Sequence, residues 1–211
     1  MRDEEIEKIA AQFYDEKLFY HNFEHVNYVL SSASRILNSC KRENIEIDEA
    51  VVYYAILFHD AGFIEDHTAM GYQSKEAYSA DIAGRELKAY GVSDNVIAKV
   101  RDAIMATHMN ADCQTKEEIA VRAADLSGLA DDYNVFKKNT VDLLKEGEMM
   151  SGNKMTWEEW KIKAAEVIEL YLRQELYLTS DYYNVDGSSK FHINARKNID
   201  RLMQDGSVDI D

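Results

Sequence analysis

Apolar residues recur along most of this chain at intervals of three and four, the spacing that gathers them on one side of an α-helix. No stretch alternates apolar and polar residues in the two-residue rhythm of a half-buried strand, and no segment repeats. Ile6, Ile9, Ala10 and Phe13 predict a short first helix. Val26, Val29, Leu30, Ala33, Leu37 and Cys40 predict a second over about 23–42. Residues 50–58 are apolar without a break, which predicts a helix over about 48–60 surrounded by other helices. His59 and Asp60 then stand at its C-terminal end, with Gly62 as a candidate for the residue that closes it.

The remaining chain is punctuated in the same manner. A loop over 63–72 precedes a fourth helix over about 74–90, closed by Gly91, and Ser93 caps a fifth that ends near His108. Thr115 with Glu118 has the spacing of a capping box and opens a sixth helix, which carries Asp125 toward Gly128. A seventh runs over about 133–149. Thr156 with Glu159 opens an eighth, expected to be the longest, reaching about residue 179. Its inward residues are Trp157, Trp160, Ala164, Ile168, Tyr171 and Leu172, and the Trp157–Trp160 and Tyr171–Tyr177 pairs read as core. A polar loop over 180–190, a weaker last helix over 191–204 and a frayed tail complete the chain. The stretch 147–154 is too short for a domain linker, so the expectation is all-α and a single domain, 1–211. Its motif-bearing core spans about 18–130, and helices over 131–205 pack on it.

Composition narrows the function classes. With 211 residues, 46% hydrophobic and 30% charged, the chain has the make-up of one ordinary globular domain. No run approaches the roughly 20 apolar residues that cross a bilayer. The acidic start carries no apolar stretch, which predicts no secretory signal and a cytoplasmic location. Cys40 and Cys113 make no framework and read as reduced thiols. There are 24 basic against 39 acidic residues, a net charge of −15 with no basic stripe, which argues against a nucleic-acid polymer as partner. A small phosphorylated substrate stays compatible, because a bound dication reverses the local sign. The oligomeric state is left open.

His25, the doublet His59-Asp60 and the later Asp125 form a metal-ligand set rather than a proton relay. Imidazole nitrogen with carboxylate oxygen suits manganese, iron, cobalt, nickel or zinc, as one ion or two, with positions left for water. Each residue also has a plainer reading. A helix-face histidine is commonly structural, Asp60 is solvated if its helix ends at the surface, and Asp125 can pair with Arg122 three residues earlier. Against these, Asp60 ends an apolar run where a carboxylate needs a partner, and Asp125 lies among apolar neighbours over 120–126. His21 precedes His25 by four, so the two share a face if the helix begins by Asn22.

Tyr20-His21-Asn22-Phe23-Glu24-His25, Phe58-His59-Asp60, Ala106-Thr107-His108 and Ala124-Asp125, in this order, resemble the HD-domain superfamily of metal-dependent phosphohydrolases. The first segment is similar to the Tyr-His-Asn-x-x-His stretch of its cyclic-nucleotide phosphodiesterases. The resemblance covers about residues 18–130 and implies an HD-type helical bundle with His25, His59, Asp60 and Asp125 as metal ligands. It implies His21 and Asp60 as catalytic residues, His21 giving the leaving oxygen its proton, a task that suits an imidazole. The implied reaction is hydrolysis of a phosphomonoester or phosphodiester of a small molecule, a nucleotide above all, by a metal-bound hydroxide.

Two departures keep the cyclic nucleotide from carrying over. Val26-Asn27-Tyr28-Val29 stands where that branch continues with an Asp, and the chain is much shorter. His108 and Glu76 fall near places where two-metal relatives carry further histidines, so both are candidates for a second metal or for substrate. Lys75 and Arg101 are candidate phosphate contacts by their nearness to the motifs. Glu65-Asp66-His67 is spaced two residues too far from the doublet for the alarmone-hydrolysing branch and reads as solvated loop, and His192 reads as structural. Two other functions stay open: a ligand-sensing HD domain without turnover, and a di-iron oxygenase, which needs a fuller second ligand set.

Overall fold

The unbroken apolar run at 50–58 sets the plan of the region that carries the motifs. In the computed structural model, which describes residues 2–176 and 178–206, that run forms α3 (Glu49–Phe58). It packs against α1 (Glu4–Ala11), α2 (Phe23–Arg42), α4 (Lys75–Tyr90), α5 (Asp94–Met105) and α6 (Lys116–Asp125). Val51, Val52, Ala55, Ile56, Leu57 and Phe58 are completely sealed from solvent. Sealing each large side chain contributes about 1.5–3 kcal/mol, enough to hold the helix without help from its own propensity. Among the described residues all regular structure is helical, as the periodicity predicts, and the single β-bridge joins Tyr183 to Ser189. No helix among the described residues is long and apolar enough to cross a membrane.

The chain divides into two compact units. The first holds Met1–Lys17 and His21–Asp125, with α1 to α6. Asn22 caps α2, its side-chain oxygen accepting from the Glu24 and His25 amides at 2.9 and 3.2 Å. That cap puts His25 in the first turn and leaves His21 outside the helix, so the two histidines do not share a helix face. The buried face of α2 is also rotated from the expected one. Ile36 is inside, whereas Leu30 and Leu37 line the rim of a cleft of about 400 Å³.

Three of the expected helix ends differ in detail. Gly62 does not take the left-handed conformation expected of a helix-closing residue; the positive-φ glycines are Gly71, Gly91, Gly152 and Gly187. Gly62 is required by close approach instead. A Cβ there would lie 2.6 Å from Tyr78 Cδ1 and 3.1 Å from the Ser79 nitrogen, and its own amide donates to Ser79 Oγ at 2.9 Å. Ser93 occupies the N-cap position of α5 without a side-chain cap bond. At α6 the capping box is offset: Thr115 Oγ1 accepts from the Glu118 amide at 3.2 Å, but the Glu118 carboxylate turns back to the Gln114 amide at 2.6 Å.

The second unit holds Leu18–Tyr20 and Leu126–Asp211. Its helices are α7 (Tyr133–Ser151), α8 (Trp157–Tyr171) and α9 (Lys190–Gln204), with 3₁₀ turns at Leu126–Ala130 and Ser180–Tyr182. The Thr156–Glu159 capping box forms as predicted. However, α8 stops at Tyr171, so α2, with 20 residues, is the longest helix among those described. Ile168, Leu172 and Leu176 keep helical spacing and are all buried, which is why periodicity gave no stop signal. The stop comes from tightening of the last turn, where the Arg173 and Gln174 amides bond carbonyls three residues back. Trp157 is buried as read, whereas Trp160 is half-buried and donates its indole N–H to the Thr140 carbonyl at 2.8 Å. His192 is structural as read: its ring Nδ1 lies 2.7 Å from Oγ of Ser189, the α9 cap. Tyr177 and the tail from Ser207 lie outside the described residues.

Candidate metal centre

Three chain segments of the first unit bring the expected ligands to one point. His25 comes from the first turn of α2, His59-Asp60 from the residues just past α3, and Asp125 from the last position of α6. The ligating atoms of His25, His59 and Asp60 lie within 4.8 Å of one another, and all three residues are buried. Asp125 Oδ1 reaches both imidazoles, at 3.3 Å from His25 Nε2 and 3.5 Å from His59 Nε2. Asp60 Oδ2 is 3.0 Å from His59 Nε2 and 3.9 Å from His25 Nε2.

The orientation of His59 is set by its own helix. Its Nδ1 lies 2.8 Å from the Ile56 carbonyl, an oxygen that only accepts, so Nδ1 carries the proton. In the neutral ring Nε2 is therefore the lone-pair nitrogen, which is how an outer hydrogen bond prepares a histidine to ligate. His59 Nε2 is buried and out of line for a hydrogen bond to either neighbouring carboxylate. Two carboxylates and two imidazoles gathered this closely from three segments fit a divalent transition metal.

The charges agree with that fit. For His59, burial pulls the pKa down most strongly, but Asp60 and Asp125 together outweigh it and raise the imidazole to about 10. For His25, burial prevails and its pKa falls, with Asp125 opposing. Asp60 is held well below the carboxylate range: burial pushes up, and His59 and Lys75 overcome it. Asp125 is likewise held low, by the two imidazoles against the effect of burial. The carboxylates stay ionised and gather positive charge, which is the setting a cation requires.

Around this point stand groups that hold no ligand position. Lys75 Nζ lies 2.5 Å from Asp60 Oδ1 and 3.7 Å from Glu76 Oε1. Asp60 thus gives one oxygen to lysine and turns the other toward the imidazoles. Lys75 sits at the start of α4, where Ser74 caps the helix through the Ala77 amide, and keeps 31% of its side chain exposed. The His21 ring stacks on Phe63, centroids 3.7 Å apart at 18°, and lies 6.1 Å from the His25 ring. Lys75 Nζ is 5.6 Å above the same Phe63 ring. His21, Phe63 and Lys75 thus form one connected wall beside Asp60.

Other predicted positions lie elsewhere. The ligand group found among the described residues is His25, His59 and Asp60, with Asp125 reaching its two imidazoles; neither Glu76 nor His108 belongs to it. Glu76 is buried beside Lys75, and His108 Nδ1 accepts from the Asn110 amide at 3.2 Å, within its own loop. Arg101 is half exposed and lies 3.8 Å from Asp81 Oδ1, an ion pair between α5 and α4. In the 65–67 stretch Glu65 and His67 are half-buried, and the Glu65 carbonyl accepts from the His67 amide within a turn. Arg122 donates to the carbonyls of Ala106, Met109 and Ala111, while Asp125 faces the histidines. Phe63 and Tyr14, which touch the centre's supports, carried no signal in sequence, since an isolated aromatic beside a motif reads as core. No family model, curated protein or solved structure matches the chain.

Proposed function

We propose that this chain is an HD-type, metal-dependent phosphohydrolase that cleaves a phosphomonoester or phosphodiester of a small molecule, with nucleotides as the substrate class. The observation that carries the reading is the convergence of His25, His59, Asp60 and Asp125, from three separate segments, beside a lysine and a stacked histidine. Those four side chains would hold one ion of manganese, iron, cobalt, nickel or zinc. A divalent ion there supplies Lewis acidity toward water and a phosphoryl oxygen.

The chain's own residues divide the remaining work. Lys75, anchored by Asp60 yet partly exposed, offers its ammonium to a phosphoryl oxygen. His21, held flat against Phe63, carries a proton for the leaving oxygen. Asp60 orients both sides, binding Lys75 through Oδ1 and facing the imidazoles through Oδ2. The net charge of −15 repels nucleic-acid polymers, so a small phosphate ester suits the centre better.

The test is to strip the protein with chelator, reload it with each ion singly, and assay a panel of nucleotide monoesters and diesters for product release. One ion per chain and turnover that depends on it are expected, and Asp60→Asn is expected to lose both. Normal turnover by Asp60→Asn would overturn the reading. Ion binding without turnover across the panel would favour a ligand-sensing domain. Two irons per chain with oxygen-dependent turnover would favour the oxygenase, for which Glu76 and His108 would have to enter the centre.

A further inference from the structure

The last carbonyls of a helix have no partner within it, and the residues that take them decide how the chain leaves. At the end of α3 the Ile56 carbonyl faces the His59 ring at 2.8 Å, and the Phe58 carbonyl accepts from the Ala61 amide at 3.1 Å. Between them, the Leu57 carbonyl accepts from the Tyr14 hydroxyl at 3.0 Å. Tyr14 lies in the connection after α1 and is 8% exposed. Its ring also meets Phe23 edge-on, centroids 5.6 Å apart at 64°. Phe23 is the first residue of α2, two before His25. One side chain therefore touches both of the segments that bring histidines to the centre.

We propose that Tyr14 is a positioning residue of the metal centre, its hydroxyl fixing the end of α3 and its ring fixing the start of α2 so that His25 and His59-Asp60 converge. This rests on the metal reading of the centre. The phenyl ring alone would fill the space, so the hydroxyl on Leu57 is the part with a specific task. Burial, and next the Asp60 carboxylate, keep the phenol well above its ordinary pKa, so it remains a donor. The neighbouring Phe13 packs on Phe58, centroids 6.4 Å apart, so the same connection grips α3 twice. A hydroxyl that merely added stability would change the melting temperature and leave the folded centre as it was. A positioning hydroxyl changes the ion's affinity and ligand field.

The experiment compares wild-type chain and Tyr14→Phe in titrations with Zn²⁺ and Co²⁺, at a temperature where circular dichroism shows both folded. Groups bonded directly to metal ligands are worth about 10–100-fold in affinity; Tyr14 acts one residue further out, so a loss at the low end, about tenfold, is expected, with a displaced Co²⁺ visible band. Equal affinity and an unchanged band would overturn the role of Tyr14 while leaving the metal reading intact. Failure of the wild-type chain to bind either ion would overturn the metal reading, and this proposal with it. Should Tyr14→Phe not fold, 3-fluorotyrosine placed at position 14 keeps the hydroxyl and serves as a probe. A change in its fluorine resonance at one equivalent of Zn²⁺ is expected, and an unmoved resonance overturns the proposal.

Discussion

Arg122 and Asp125 stand three residues apart on α6, and their surroundings differ in kind. Arg122 is 1% exposed and spends its guanidinium on carbonyls, Nη1 on Ala106 at 2.9 Å and Ala111 at 2.7 Å, Nη2 on Met109 at 3.1 Å. Together they tie residues 106–111 to the helix. Asp125 sends Oδ1 between two imidazoles at 3.3 and 3.5 Å. Charge is present in both places, but Arg122 is tied through its two terminal nitrogens to fixed backbone carbonyls, whereas Asp125 stands against groups that can ligate. A charge bonded to fixed backbone carbonyls is a structural device. Charges of opposite sign that converge on a shared point leave room for a cation.

That contrast can be broken from either side. Arg122→Met should have the largest effect, since it strands one buried and two half-buried carbonyls, and an unmet buried group costs about 1–3 kcal/mol. Urea unfolding should show a loss of about 3 kcal/mol or more, with metal stoichiometry per folded chain unchanged. Loss of metal binding at full stability would contradict the structural assignment. Asp125→Asn should do the reverse. Equilibrium dialysis should show metal affinity falling by more than the roughly 100-fold that loss of an outer partner costs. The metal-free melting temperature should move less than in Arg122→Met.

The pH dependence sharpens the same point. The folded-state pKa of His59, about 10, exceeds the ordinary value of roughly 6.5. Its contribution to the metal-free fold is therefore complete below roughly pH 6.5 and lost as the pH rises through about 10. His25, lowered by burial, adds an opposite cost that grows as the pH falls below its ordinary range. Calorimetry should then show the metal-free protein melting lower at about pH 9.5 than at about pH 7, with the loaded protein changing less. Over that window metal affinity should rise about tenfold per pH unit, because the ion displaces one proton from His59. A flat affinity profile would break the assignment. The smallest effect is expected at Phe63→Leu, which removes the platform under His21. Turnover should fall about tenfold with metal content unchanged, read from steady-state kinetics.

Most of the helical plan was legible because its causes are local. The spacing of Ile6 and Ala10 and the Thr156–Glu159 box act over a few residues. The uninterrupted run at 50–58 announced a helix enclosed by others, and α3 is one. Legibility failed where the cause lay far along the chain. Gly62 is glycine because α4 passes against it, not because it closes a helix. Arg101 looked near the motifs in sequence, yet its partner is Asp81. His21 left its expected place for a local reason instead: Asn22 caps α2 and so leaves His21 outside the helix.

Sequence alone determined the helical class, the buried helix and the short set of residues able to ligate a metal. Side-chain period and ligand chemistry are properties of residue types at fixed spacing. Only the tertiary structure decided which atoms meet. His25, His59 and Asp125 meet from three segments, Lys75 takes one oxygen of Asp60, and Tyr14 reaches from the α1 connection to the end of α3. Those pairings depend on helices that are distant in sequence and adjacent in space, and no local pattern encodes the angle at which they pack.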